Sequence, residues 1–473
     1  MRMIKNKRVT LFWSVDANSM DVYFNFEPSL AMMYLSKVLV ANGFDVTVID
    51  PNFIIPHKEF VSNPQKVLKQ LLEITESTNP NILGIGSWVN AMSFVAEFTR
   101  EFKTRNPDVP IILGGINATH LPNETLQLLP HIDFCVRGEG ENTMLELCNT
   151  LSSNRQNLGK IKGISFRNKE RKIVHTPDRP QIKNLDELPL VDLECYYTIP
   201  KKISFPIQFQ RGCQFKCSFC SINAMWKKSR FFSPNYIVKQ IKHAISLNSE
   251  VNFTFYSDNL FSNVDLAKKV TKLVHNNFPD LKYAAEIRLE PISEKLMVYM
   301  SQTGLAYAYV GVESIIPESL LFFNKTSNPQ WYIRKIPKVL EILSKTNIYS
   351  ELSFITGVPS ETICELQNLI EFIVQIREKY KNIGCNWSPL KIFPGTKLWD
   401  DFQKRKFEVE KITDDGMLNN PFAEKYSHLI WMVPELWSIK NNTMSLDEEI
   451  NIRKEFRSKI GYGHDFEKKR WKS

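Results

Sequence analysis

Short apolar runs alternate along the chain with longer stretches in which apolar residues recur at helical spacing. The first run, 9–13 (VTLFW), precedes 28–42, where Leu30, Met33, Tyr34, Val38 and Leu39 share one helical face and Gly43 ends it. Further strand-like runs fall at 44–49, 82–85, 111–113 and 134–136, with amphipathic helices at 67–75 and 91–103 and a short helix before the last strand. This alternation predicts an α/β layer with a parallel sheet. It resumes at about 203, with strands at 203–209, 252–256, 282–287, 307–312, 350–355 and 386–392. Helices at 234–247, 266–278, 293–303, 329–345 and 361–380 lie between them. Six such units predict a partial (β/α)6 barrel.

Between the two series, 163–174 reads as a small hairpin with a charged turn, and 176–200 is polar with four prolines. A junction is placed there. The expected division is an α/β domain over 1–150, a linker with its hairpin over 151–200, a core over 201–398 and a helical cap over 399–473. The cap is aromatic and charged (Phe422, Tyr426, Trp431, Met432, Trp437) and is read as packing on the barrel.

Sheets of this kind bind ligands outside the carboxyl ends of their strands. In the first series those ends carry Ser87, Trp88 and Asn90, then Gly114, Gly115 and Asn117, then Arg137, Gly138 and Glu139. Glycines there let a backbone approach a ligand closely; they are equally what tight turns require. No G-x-G-x-x-G follows a strand, so a dinucleotide site is not expected. In the second series the strand ends carry Asp258, Glu286 with Arg288, Glu313, and Gly357 with Pro359. Each alone reads as a capping or surface residue. Together, at successive strand ends, they read as a site.

The 473 residues suffice for two or three domains, and no apolar run approaches the ~20 residues of a membrane span. The basic N-terminal stretch lacks the long apolar core of a signal peptide. The net charge of +9 is scattered, with a basic tail at 468–473 and no Arg/Lys stripe with interleaved aromatics, so nucleic acid is not an expected partner. Eight cysteines in a chain this long do not make a disulfide scaffold, which points to a reducing, cytoplasmic setting.

Three of those cysteines decide the chemistry. Cys213, Cys217 and Cys220 stand in RGCQFKCSFC, a C-x3-C-x2-C spacing on a loop that leaves a strand. Three thiolates on a 4Fe–4S cube leave one iron open for a substrate or cofactor. Zinc is the main rival, but its second ligand pair is missing nearby: neither Cys195 nor His243 belongs to a paired motif.

With Phe219 before the last cysteine, this loop resembles the signature of the radical S-adenosylmethionine (SAM) superfamily. The first domain resembles the cobalamin-binding domain attached to one branch of it, in 34–52 (YLSKVLVANGFDVTVIDPN), 114–122 (GGINATHLP) and 133–141 (DFCVRGEGE). The resemblance implies a flavodoxin-like (Rossmann-type) cobalamin domain, a radical SAM partial barrel and three cofactors: cobalamin, SAM and a 4Fe–4S cluster. It implies that Cys213, Cys217 and Cys220 hold the cluster. SAM would meet Phe219, Asp258, Glu286, Arg288, Glu313 and Gly357, and cobalamin would meet Ser87, Trp88, Asn90, Gly114, Gly115, Arg137, Gly138 and Glu139. Two departures bear on this. No D-x-H-x-x-G is present, so cobalt is expected to lack an imidazole ligand, with Trp88 a candidate to cover its lower face; and YSDN replaces a G-G-E triplet.

The expected reaction is reductive cleavage of SAM to a 5′-deoxyadenosyl radical, with methyl transfer from methylcobalamin to an unactivated carbon or phosphorus. Alternatives are cyclisation, ring contraction or another rearrangement on the same cofactors, and a non-catalytic iron–sulfur or zinc protein. The substrate, a small molecule or natural-product intermediate, is not specified by the residues. An external electron donor such as flavodoxin or ferredoxin is implied.

Overall fold

The computed structural model describes residues 7–14, 27–153, 157–248, 251–412 and 421–460. They form two compact units. The first holds 7–14, 27–203 and 421–434; the second holds 204–412 and 435–460.

The first unit is built on seven strands: β1 (Arg8–Trp13), β2 (Asp45–Ile49), β3 (Ile82–Ser87), β4 (Ile111–Gly115), β5 (Phe134–Val136), β6 (Ile164–Arg167) and β7 (Ile173–His175). Their spatial order is β2-β1-β3-β4-β5-β6-β7, parallel through β5 and antiparallel beyond it. The parallel order 2-1-3-4-5 is the flavodoxin-like arrangement, whose switch point lies between β1 and β3. Buried strands here are continuous apolar runs, as a sheet covered on both faces requires: β3 (ILGIGS) is buried throughout. The Met92–Arg105 helix covers one face through Phe94, Phe98 and Phe102, with Phe98 stacked on Phe12 of β1 at 4.3 Å.

The 163–174 hairpin is present as β6 and β7, but it extends this sheet rather than belonging to a linker. Arg137 explains why. Its guanidinium is buried and donates to the Ile164 and Thr176 carbonyls and the Ser165 hydroxyl, tying the hairpin to the end of β5. Residues through 203 pack in the same unit, with Tyr196 bridged to Val48 of β2.

The second unit has a six-stranded, wholly parallel sheet: β8 (Ser204–Gln208), β11 (Asn252–Tyr256), β12 (Tyr283–Arg288), β13 (Leu305–Glu313), β14 (Tyr349–Thr356) and β15 (Ile383–Pro389). A two-residue pair, β9 (Gln210–Arg211) with β10 (Arg230–Phe231), lies between the first two. The sheet runs in chain order with β8 and β15 at its edges, so it is an open partial barrel.

The end of the chain is not one helical cap on the barrel. It contains a hairpin, β16 (Val409–Lys411) with β17 (Trp437–Ile439), and a helix Leu446–Ile460 whose Phe456 stacks on Trp387 at 4.7 Å. Residues 421–434 between these pieces pack in the first unit. The basic tail 468–473 lies outside the described residues.

Candidate active site

The cysteine loop begins where β9 ends. Gly212 has φ +90°, and a Cβ there would lie 2.7 Å from the Lys228 carbonyl oxygen, so only glycine makes this turn. Its N–H donates to Asp258 Oδ2 at 2.6 Å, at the carboxyl end of β11. Further along, the Ser218 N–H and hydroxyl donate to the Phe323 and Phe322 carbonyls at 2.8 and 2.7 Å, and Asn324 Nδ2 donates to the Lys216 carbonyl at 2.7 Å. Phe219 meets Phe323 edge-on at 5.3 Å. The segment after β13 thus braces the loop at several points.

Arg288, the last residue of β12, is buried with its guanidinium 3.9 Å from the Phe215 ring centroid. Nη1 lies 3.1 Å from Cys217 Sγ, Nη2 donates to the Lys325 carbonyl at 2.6 Å, and Nε lies 3.4 Å from Glu290 Oε2. Burial disfavours this cation, but Cys217 and Glu290 outweigh it and raise its pKa. Lys325 Nζ in turn donates to Glu313 Oε1 at 2.7 Å, both groups nearly buried. Glu313 adopts φ +69°, a costly backbone for a non-glycine residue. Asp258, Arg288, Glu313 and the cysteine loop therefore form one connected frame.

The remaining residues of this expected set stand apart from it. Glu286 is exposed, on β12 two residues before Arg288. Gly357, with φ +108°, starts a turn whose N–H donates to Glu361 Oε2 at 2.7 Å. Residues missed in the sequence are Lys325, Glu361 and Asn259. Asn259 is fully buried; its Oδ1 accepts from the Arg288 N–H at 3.3 Å, and its Nδ2 finds no partner in the protein.

Burial raises the Cys213 thiol and pushes Cys220 to about 12. Iron ligation needs thiolates and would release those protons. No disulfide engages any cysteine. Among the described residues no three His, Cys, Asp or Glu side chains close on a single metal ion. A cubic cluster makes no such demand, since each thiolate binds a different iron. The thiol donor set, the cation against Cys217 and the orphaned Asn259 amide fit such a cluster with a ligand on its open iron.

The inner face of the second sheet is polar. Glu286, Tyr309, Glu351 and Gly384 are in register across β12 to β15, and so are Arg288, Gly311, Ser353 and Asn386. All the charged residues of these six strands, Glu286, Arg288, Glu313 and Glu351, lie on this face. Barrel interiors are usually filled by Val, Ile and Leu.

At the first sheet, Ser87 ends β3, and its hydroxyl donates to the Trp88 carbonyl at 2.7 Å. Trp88 is 55% exposed and meets Trp13 of β1 edge-on at 6.3 Å, which places both rings at the switch point. Asn90 follows in a half-buried turn. A Cβ on Gly114 would meet nothing closer than 3.9 Å, one on Gly138 nothing within 4 Å, and one on Gly115 would overlap the Ser87 carbonyl. Glu139 accepts from the Ile182 N–H at 2.6 Å, so it and Arg137 do structural work on the hairpin and the following segment. Ser14, Ser93 and Asn117, near the carboxyl ends of β1, β3 and β4, are buried with oxygens that find no partner in the protein. Open glycine backbone and orphaned acceptors suit a large ligand rich in amides, as cobalamin is.

Two family models match: the B12 binding domain over residues 20–148 and the radical SAM superfamily over 207–373. The chain belongs to the radical SAM enzymes that carry a B12-binding domain. The cofactors of this enzyme are those of the two domains: cobalamin, and SAM with a 4Fe–4S cluster. It is 28% identical over 381 residues to an uncharacterized methyltransferase of Pyrococcus horikoshii, covering 79% of this chain and 78% of the relative. It is 27% identical over 413 residues to the anaerobic magnesium-protoporphyrin IX monomethyl ester cyclase of Rubrivivax gelatinosus, covering 82% and 70%. Its fold matches the radical SAM methyltransferase TsrM from Kitasatospora setae, solved with cobalamin and a [4Fe-4S] cluster, at TM-score 0.71 and 14% identity over 97% of this chain and 90% of that one.

Proposed function

We propose that this radical SAM enzyme transfers a methyl group to an unactivated carbon, or phosphorus, of a substrate that offers hydrogen-bonding groups. When bound, SAM at the cluster supplies a 5′-deoxyadenosyl radical and cobalamin supplies the methyl group. The observation that carries the reading is the frame around the cysteine loop, found in one chain with a B12-binding domain. Cys213, Cys217 and Cys220 hold the cluster. Arg288 holds Cys217 and the Lys325 carbonyl, which makes it a positioning residue rather than a partner for the SAM carboxylate. Asp258 holds Gly212 through one oxygen, and Glu313 is fixed by Lys325. Ser87, Asn90, Gly114, Gly115 and Gly138 form the cobalamin edge. The polar inner face (Glu286, Tyr309, Ser353, Asn386) supports a polar substrate over a hydrocarbon one, because covering the exposed Glu286 carboxylate with hydrocarbon would desolvate a charge without compensation.

A second reading, cyclisation, is favoured by the cyclase relatives. Anaerobic turnover with methyl-labelled SAM, a one-electron donor of the flavodoxin or ferredoxin type and a panel of polar and apolar candidates separates the two. Methyl transfer gives 5′-deoxyadenosine and label in the product. Product without label overturns methylation in favour of cyclisation. Zinc in place of about four irons per chain overturns both.

A further inference from the structure

The C-terminal chain leaves the second unit, contributes residues 421–434 to the first, and returns. This strap is not casually placed. Phe422 meets Phe94 edge-on at 6.0 Å, Lys425 Nζ lies 2.5 Å from Glu97 Oε1, and the Tyr426 hydroxyl donates to the same oxygen at 2.8 Å. Both anchors are on the Met92–Arg105 helix, which begins just after the Ser87–Asn90 turn. Ile430 to Val433 are then buried, and the Trp431 carbonyl accepts from Asn117 Nδ2 at 3.2 Å.

That last bond fixes more than the strap. A carbonyl only accepts, so Asn117 must turn its NH2 toward Trp431. Its Oδ1 is left as a buried acceptor with no donor in the protein. Leaving such an acceptor unmet is unfavourable, because it loses its water and gains no donor in return. Asn117 sits directly after Gly114–Gly115 at the carboxyl end of β4, 1% exposed. The corrin ring of cobalamin is fringed with amide side chains, which are N–H donors. We propose that the 421–434 strap is a working part of the cobalamin site: through the Trp431 carbonyl it sets the Asn117 amide as an acceptor for a corrin amide, so strap docking and cobalamin binding reinforce each other. Asn117 touches the ligand; Trp431 is a positioning residue. The coupling is reciprocal, as linkage requires. The inference rests on cobalamin binding at this edge.

Hydrogen–deuterium exchange of the full-length protein, with and without hydroxocobalamin, tests it. Amides at 428–434 are expected to slow ~10-fold, together with those at 87–91 and 114–120. Slowing at 87–91 and 114–120 with the strap unchanged overturns the inference and leaves cobalamin binding intact. No slowing anywhere overturns both. Loosening the anchor by Lys425→Met with Tyr426→Phe is expected to weaken hydroxocobalamin binding about 10-fold in absorbance titrations, with iron content unchanged. Unaltered affinity overturns the coupling.

Discussion

The two parallel sheets present carboxyl edges of opposite chemistry. The first offers open glycine backbone and neutral orphaned oxygens from Ser14, Ser93 and Asn117, while its charged residues Arg137 and Glu139 are spent on the hairpin and on the segment that follows it. The edge of the second is a chain of charged contacts, Asp258 to Gly212, Arg288 to Cys217, Lys325 to Glu313, around the cysteine loop. The same topology thus serves two tasks. A large amide-rich ligand is best cradled by backbone and neutral acceptors, which cost little to desolvate. An anionic thiolate cluster needs fixed cations and donors, which work best where water is excluded.

The sharpest break is at the thiols. Cys217→Ala is expected to lower SAM cleavage at least ~10³-fold and reduce bound iron, while hydroxocobalamin still binds the first unit. 5′-Deoxyadenosine at the wild-type rate would remove the cluster assignment. Arg288→Leu tests whether the charged frame holds the loop. It strands the Lys325 carbonyl and removes the cation from Cys217, an expected loss of about 3 kcal/mol. The readout is cluster retention during anaerobic gel filtration. Arg288→Lys should restore part of it, since a lysine replaces the charge but not the fork.

The neutral edge should fail differently, by sterics. Gly115→Ala would put a Cβ on the Ser87 carbonyl at φ +107°, costing about 3 kcal/mol and abolishing cobalamin binding. Gly138→Ala meets nothing and should cost only about 1 kcal/mol, for its φ of +73°. Equal losses in thermal unfolding would mean that backbone strain, not the close approach at Ser87, governs this edge.

Much of this contrast was legible in the sequence. Strand and helix periodicity placed both parallel sheets and their carboxyl ends, because buried parallel strands and their covering helices impose patterns that local residues carry. The C-x3-C-x2-C spacing is likewise a local signal, and it marked the loop that follows β9. What was not legible depends on side chains reaching across sequence distance. Arg137 read as a ligand contact, because nothing local reveals that its guanidinium meets Ile164 and Thr176. Lys325 and Asn259 went unnoticed because each looks like an ordinary polar residue until Glu313 and Arg288 are placed beside them. The aromatic residues at 421–434 say that the segment is buried, but not in which unit.

The first unit also carries an acid-sensitive group. Burial, with Arg100 and Arg167 nearby, holds the His131 imidazole down at about 4, against 6.5 for a free one. The unfolded chain therefore binds more protons than the folded one between these values, and stability from this site is lost as pH falls from 6.5 to 4. The loss is about 3 kcal/mol. Asp50, pushed up to about 7 by burial, works in the opposite sense in the same unit. The measurement is accordingly the difference between wild type and His131→Gln in urea unfolding, which should shift in favour of the variant as pH falls through that window. A difference independent of pH would show that His131 is solvated.

Trp88 gives the smallest effect and the finest test of the neutral edge. With over half its surface exposed and one edge contact to Trp13, its removal should change stability by no more than about 0.5 kcal/mol. An exposed indole at the switch point does little to hold the core, which leaves its ring open to a ligand. If it covers one face of the corrin, Trp88→Ala should weaken hydroxocobalamin binding about fivefold, as the loss of roughly 1 kcal/mol of ring contact implies. It should also shift the cobalamin absorbance bands, as water reaches the uncovered face, while Trp88→Phe keeps both near wild type. An unchanged affinity and spectrum would make Trp88 a surface residue and leave the recognition of cobalamin to the glycine turns and buried oxygens alone.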